Sequence, residues 1–210
     1  MADRPAQFAL HGPTMTVRIP EPGDATSLYR LASDPEVTKW FSWGPYQETA
    51  EARAYLDRLP DQRETGRQLD LLQVHRTQGV VGITGLSEFS YRDRRAMVGT
   101  WFGKDAWGTG ANTEGKALMA YLSFELLGLE RLGAYANTEN VRSRKALEKV
   151  GFQHEGVLRG WHRHGTRQLD VSVFGMLPDD WRNGPLIDTP VRVEGEVPSS
   201  FLTLLAATKT

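Results

Sequence analysis

The 210-residue sequence has no cysteine, which excludes disulfides, thiolate metal sites and a cysteine nucleophile together. It also lacks an excess of either charge: 25 Lys and Arg stand against 26 Asp and Glu, a formal net charge of −1 at pH 7. A general electrostatic grip on DNA or on an anionic membrane is therefore not expected. No run of ~18 apolar residues occurs and no secretion signal opens the chain, so no membrane span and a cytoplasmic location are expected. The five histidines show no metal-ligand spacing. His162 and His164 alternate as in a strand or turn and read as exposed polar residues, and no metal is expected. Internal repeats and low-complexity blocks are absent.

What is present suits one ample domain with a real core: 40% of residues are hydrophobic and 24% charged. The chain is organised around Trp101 to Phe152. This stretch reads as the end of a strand, the loop Ala106-Trp107-Gly108-Thr109-Gly110-Ala111-Asn112, and a helix over Thr113 to Leu127. A buried strand over Arg131 to Ala136 and a helix over Val141 to Val150 follow, closed by Gly151-Phe152. Two glycines ahead of a helix free backbone N–H groups to converge, and the helix dipole adds to that field, so an anion such as a pyrophosphate is held without a lysine. Alone, such a loop also fits a tight turn. Asn140 suits the N-cap of the second helix, and Gly151 the left-handed residue beyond its end.

The order of these parts, with Trp107-Gly108-Thr109-Gly110, Asn140-x-x-Ser143 and Glu148-Lys149-Val150-Gly151-Phe152-Gln153-His154-Glu155-Gly156, resembles the acyl-CoA core of the GNAT N-acetyltransferases. More narrowly it is similar to the ribosomal-protein N-terminal acetyltransferase branch, the Rim type. In element order the likeness spans Thr14 to Trp181. It implies an α+β, α/β-like GNAT fold: a mixed central sheet of about seven strands, splayed in the middle and flanked by about four helices. The expected organisation is a lead-in over residues 1–13, the acyltransferase domain over 14–181, and a tail over 182–210 packed on the domain or on a partner subunit. The apolar tail end Phe201-Leu-Thr-Leu-Leu205 allows a homodimer.

Outside the motif-rich middle, Thr14 to Ile19 reads as the first strand, Gln47 to Arg63 as a helix, and Gln68–Arg76, Val80–Phe89 and Arg95–Phe102 as an antiparallel meander. Trp40, Phe41 and Trp43 belong to an aromatic loop that reads as a packed anchor on the core. Through the resemblance, the same loop reads as a wall of the acceptor pocket. His154 to Arg159 and Gln168 to Phe174 read as two closing strands joined by a turn over Trp161 to Gly165.

The resemblance implies acetyl-CoA as co-substrate, held by Trp101 and Phe102 at the strand end, by Trp107, Gly108, Thr109, Gly110, Ala111, Asn112 and Thr113 in the loop, and by Asn137 and Asn140. Acetyl transfer needs the acceptor ammonium to lose a proton and the departing thiolate to gain one. Glu155 matches the family position that serves as base, and Ser143 the position facing the leaving sulfur. Asp170 is a second candidate base and acceptor contact. Glu155 also reads as an exposed strand residue, Ser143 as a common helix-start residue, and Asp170 as a strand-pairing one. The expected activity is acetylation of a primary amine on a small molecule or protein N-terminus. Asn112 replaces the Gly or Ala usual in the family, which leaves open a donor of the aminoacyl-tRNA kind. A non-catalytic acyl-CoA-binding or regulatory domain is the third reading.

Overall fold

The computed structural model describes residues 7–207. Residues 1–6 and 208–210, the outer ends of the expected lead-in and tail, lie outside the described residues. One mixed sheet of nine strands runs through the molecule in the order β7-β8-β6-β5-β4-β3-β2-β1-β9. The strands are β1 (Ala9–His11), β2 (Met15–Arg18), β3 (Leu69–His75), β4 (Gly79–Ser90), β5 (Arg95–Phe102), β6 (Arg131–Asn137), β7 (Gln153–His164), β8 (Arg167–Met176) and β9 (Arg192–Glu194). Two of them exceed the expected count. β1 falls in the lead-in and β9 in the tail, and they pair with each other, Leu10 opposite Val193.

Every neighbouring pair is antiparallel except β5 and β6. That parallel pair holds for three residues only, Arg95 to Met97 against Arg131 to Gly133. Beyond Met97 and Gly133 the two strands part. Each parted end stays paired on its outer side, β5 with β4 and β6 with β8, and the amides and carbonyls that face the gap can pair with an extended ligand as an inserted strand would.

Helices cover both faces. On one side lie α1 (Ala25–Ala32), the single turn α2 (Pro35–Thr38) and α3 (Thr49–Glu64), which bury Leu28, Leu56 and Leu59 against Leu72 and Ile83. On the other lies α4 (Ala111–Tyr121), with Leu118 and Met119 fully buried. Each such side chain contributes about 1.5–3 kcal/mol through burial. Glu114 ties α4 to the sheet: its carboxylate accepts from the Thr14 and Met15 amides, both at 2.7 Å, and from the Thr14 hydroxyl. The helix does not continue unbroken to Leu127. It widens into a π-helical turn over Leu122–Leu126, where the buried Ser123 hydroxyl donates back to the Met119 carbonyl at 2.8 Å.

α5 (Val141–Lys149) follows β6; the Asn140 side chain caps it by accepting the Ser143 amide at 3.1 Å. Gly151, at φ 99, ends it, and buried Phe152 turns back to donate its amide to the Leu147 carbonyl at 3.1 Å. The β7–β8 hairpin is longer than expected. Trp161 to His164 continue β7, and the chain turns at Gly165 and Thr166. A bulge between Leu158 and His162 absorbs Gly160, so that glycine bends the strand instead of ending it. The tail, after α6 (Pro178–Arg182), adds β9 to the sheet edge and sends α7 (Ser199–Ala207) to bury Phe201 and Leu205, Phe201 lying 5.1 Å from the ring of Phe89.

Candidate active site

Where β5 and β6 part, a cavity of about 550 Å3 opens. One wall is the expected anion loop. Gly108 (φ 76) and Gly110 (φ 95) both sit in backbone regions that L side chains disfavour, with open space where a side chain would project. Glycine is required there by backbone angle and not by crowding. Trp107 Nε1 donates to the Phe102 carbonyl at 3.0 Å, and the Thr109 hydroxyl to the Ala106 carbonyl at 2.8 Å, locking the loop to the end of β5. The first turn of α4 opens directly from Gly110, so the positive end of the helix dipole lies at this wall; the Thr113 and Glu114 amides donate to the Gly110 carbonyl at 2.9 and 3.2 Å. Gly108, Gly110, Asn112 and Thr113 line the cavity; Thr109 does not, and Ala111 is buried in the core.

Two features of this wall escaped sequence reasoning. The Arg142 guanidinium lies 3.3 Å from the centroid of the Trp107 ring, setting a cation over the loop. Its only sequence signal is the basic run Arg142-Ser-Arg-Lys145. The second is Lys116, from the second turn of α4, whose ammonium donates to the Thr100 hydroxyl. That hydroxyl shares a 2.8 Å hydrogen bond with Thr84 Oγ1, which in turn donates to the Gly99 carbonyl at 3.1 Å. Burial pushes the Lys116 pKa down to about 7. A lone cation in a helix apolar nearly all round was the available signal.

The opposite walls are aromatic. Phe41 and Trp43 stack at 5.0 Å and 10°, and Trp43 sets its edge against Trp101 at 5.7 Å. In the same lining Tyr135 packs on Trp161 at 6.2 Å and on His162 at 5.9 Å. The Tyr135 hydroxyl donates to Glu88 at 3.3 Å, Glu88 occupying a bulge of β4 at φ 50. Burial, then the Glu88 charge, raises the Tyr135 pKa. Burial, with the charges of His162 and Arg167, holds the His164 imidazole below its usual pKa. Trp40, Trp101, Phe102, Asn137, Asn140 and Ser143 also line the cavity.

The two carboxylates singled out as bases lie elsewhere. Glu155 is not among the lining residues; it forms a two-pronged ion pair with Arg131, which holds its carboxyl below the usual range. A carboxylate so stabilised is a weaker base. Asp170 is likewise outside, its carboxylate accepting the Gly160 amide at 2.7 Å within the hairpin bulge. Among the described residues no Asp or Glu lines the cavity.

The acetyltransferase (GNAT) domain family matches residues 14–153. An uncharacterized N-acetyltransferase of Bacillus licheniformis, p20, is 31% identical over 82% of this chain and 97% of its own. The structure of Mycobacterium smegmatis RimJ in complex with CoA-disulfide superposes with a TM-score of 0.77 at 18% identity, covering 88% of this chain and 95% of that one. The microcin C7 self-immunity acetyltransferase MccE, solved with acetyl-CoA and AMP, gives a TM-score of 0.72 at 18% identity, covering 79% and 93%. The fold is thus shared with these structures, and by the family match over residues 14–153 and the 31% identity to p20 this chain belongs to the GNAT N-acetyltransferases.

Proposed function

We propose that the protein moves an acetyl group from acetyl-CoA to a primary amine of a small molecule or a protein N-terminus. One observation carries the reading: the parted ends of β5 and β6 open into the same cavity as the Gly108–Gly110 loop and the start of α4. Such a loop suits a diphosphate, and the strand ends suit the amide-bearing arm of a thioester donor. Arg142 adds a fixed cation beside the loop. Asn112 lines the cavity at the helix start, where an amide side chain is itself a hydrogen-bond donor to an anion.

The chemistry is a direct displacement. The amine nitrogen attacks the thioester carbonyl, the C–N bond forms, the C–S bond breaks, and the thiolate takes a proton. Ser143, on the cavity wall at the start of α5, is the hydroxyl suited to donate it. The amine must arrive neutral. With no carboxylate lining the cavity among the described residues, its proton passes to water or to a lining nitrogen base; His164 and Lys116 are both biased toward their neutral forms. A buried lysine titrating near neutrality can accept a proton that an ordinary lysine cannot.

Calorimetric titration with acetyl-CoA, followed by thiol release on adding amines, tests this. Binding in the micromolar range with amine-dependent thiol release is expected, and Ser143→Ala should lower kcat while leaving donor affinity within about twofold. Failure to bind acetyl-CoA would overturn the reading.

A further inference from the structure

We propose that the acceptor is a small primary amine carrying both a flat ring and an acidic group, selected by Trp43, Trp161 and Arg163; the inference rests on the acetyl-transfer reading above. The ring follows from the walls. Trp43 packs against both Phe41 and Trp101, and Trp161, on the β7–β8 hairpin, packs on Tyr135; Trp43 and Trp161 line the same cavity. Trp161 is nevertheless 51% exposed, a large apolar face on the cavity wall that a planar ligand would cover.

The acid follows from charge. Arg142, Lys149 and Arg163 line the cavity, and no Asp or Glu lines it among the described residues; the one nearby carboxylate whose charge reaches them is Glu36, at Arg142. None of these three cations forms an ion pair among the described residues. Glu88 and Asp170, on neighbouring strands, are engaged by the Tyr135 hydroxyl and the Gly160 amide. Arg142, stacked on the loop Trp107, belongs to the donor side. Arg163 is carried instead by β7, the strand that presents Trp161, and its Nε donates to the nearby Gly165 carbonyl at 3.0 Å, the one side-chain hydrogen bond it makes among the described residues. The rest of its guanidinium fork is available for a carboxylate or phosphate. A polyamine or a lysine-rich N-terminus would bring a second positive charge among these cations, with no lining carboxylate among the described residues beside Arg163 to offset the repulsion.

Carboxylate and phosphate both satisfy this requirement, and the assay separates them. The full chain with acetyl-CoA is presented with phenylalanine and tryptophan for the carboxylate, tyramine phosphate for the phosphate, tyramine as ring without acid, and spermidine. At least one acid-bearing ring amine should exceed tyramine in kcat/KM by tenfold or more and spermidine by a hundredfold. Arg163→Ala should remove the advantage over tyramine and leave the KM for acetyl-CoA unchanged; Arg163→Glu should invert the order in favour of spermidine. Preference for spermidine by the parent chain, equal loss on all amines in Arg163→Ala, or no turnover of any of these amines despite donor binding would overturn the inference. Absence of acetyl-CoA binding by calorimetry would remove the transfer reading itself, which distinguishes the two failures.

Discussion

Lys116 Nζ donates to Thr100 Oγ1 beneath the parted end of β5, and no carboxylate pairs with it among the described residues. The folded chain therefore holds this lysine's pKa near 7, against 10.5 for the same group when exposed. Between those values the unfolded chain binds the proton and the folded chain does not, so stability rises with pH across that window and the cost of the buried charge is full below pH 7. At 1.36 kcal/mol for each pH unit of displacement the cost is at most about 5 kcal/mol. Lys116→Met, which keeps the length and removes the charge, should raise the melting temperature at pH 6.5 by several degrees. The gain over the parent should vanish above pH 10.5. Parallel melting curves for the two proteins at every pH would contradict the assignment.

Gly110 stands at φ 95 with open space around it. Alanine there meets no clash, only a backbone angle that costs about 1–2 kcal/mol. Gly110→Ala should relax the loop, raising the Kd for acetyl-CoA about tenfold with a small change in melting temperature. An unchanged Kd would mean that the loop amides take no part in donor binding.

Asn140 accepts the Ser143 amide and so orients the start of α5 on the cavity wall. Asn140→Ala should cost about 1 kcal/mol in urea unfolding, in line with other lost N-caps. It should also lower kcat, since Ser143 loses its fixed placement, whereas Asn140→Asp should restore both. Loss of stability with unaltered kcat would confine Asn140 to capping.

Glu155 is bound to Arg131 outside the cavity. Glu155→Gln is expected to leave kcat/KM within about twofold between pH 6 and 9. A fall of a hundredfold, with a basic limb lost from the pH profile, would return Glu155 to the role of base.

The parts of the fold that local chemistry dictates were legible. Gly108, Gly110, Asn140 and Gly151 each answer a backbone requirement within a few residues of themselves, and the strand–loop–helix order around them follows. Residues whose role is set by distant neighbours were not. The spacing Gly-Phe-x-x-Glu places Glu155 on a strand, but the bulge between His154 and Gly156 and the guanidinium of Arg131 decide where it points. Gly160 and Gly165 bracket what reads as one turn; only pairing with β8 shows that the first marks a bulge. Lys116 hides within a helix whose buried faces are defined by the sheet. β1 and β9, three residues each, are too short to show an alternation.

The pairing of β9 on β1 has a consequence for solubility. β1 would otherwise be the last strand of the sheet, with Ala9 to His11 offering a row of unmet amides and carbonyls to any passing chain. Residues 192–194 act as a built-in shield, and α7 anchors that shield through Phe201. Cutting the chain after residue 190 should therefore yield a protein that self-associates in light scattering, edge to edge, before its active cleft is disturbed.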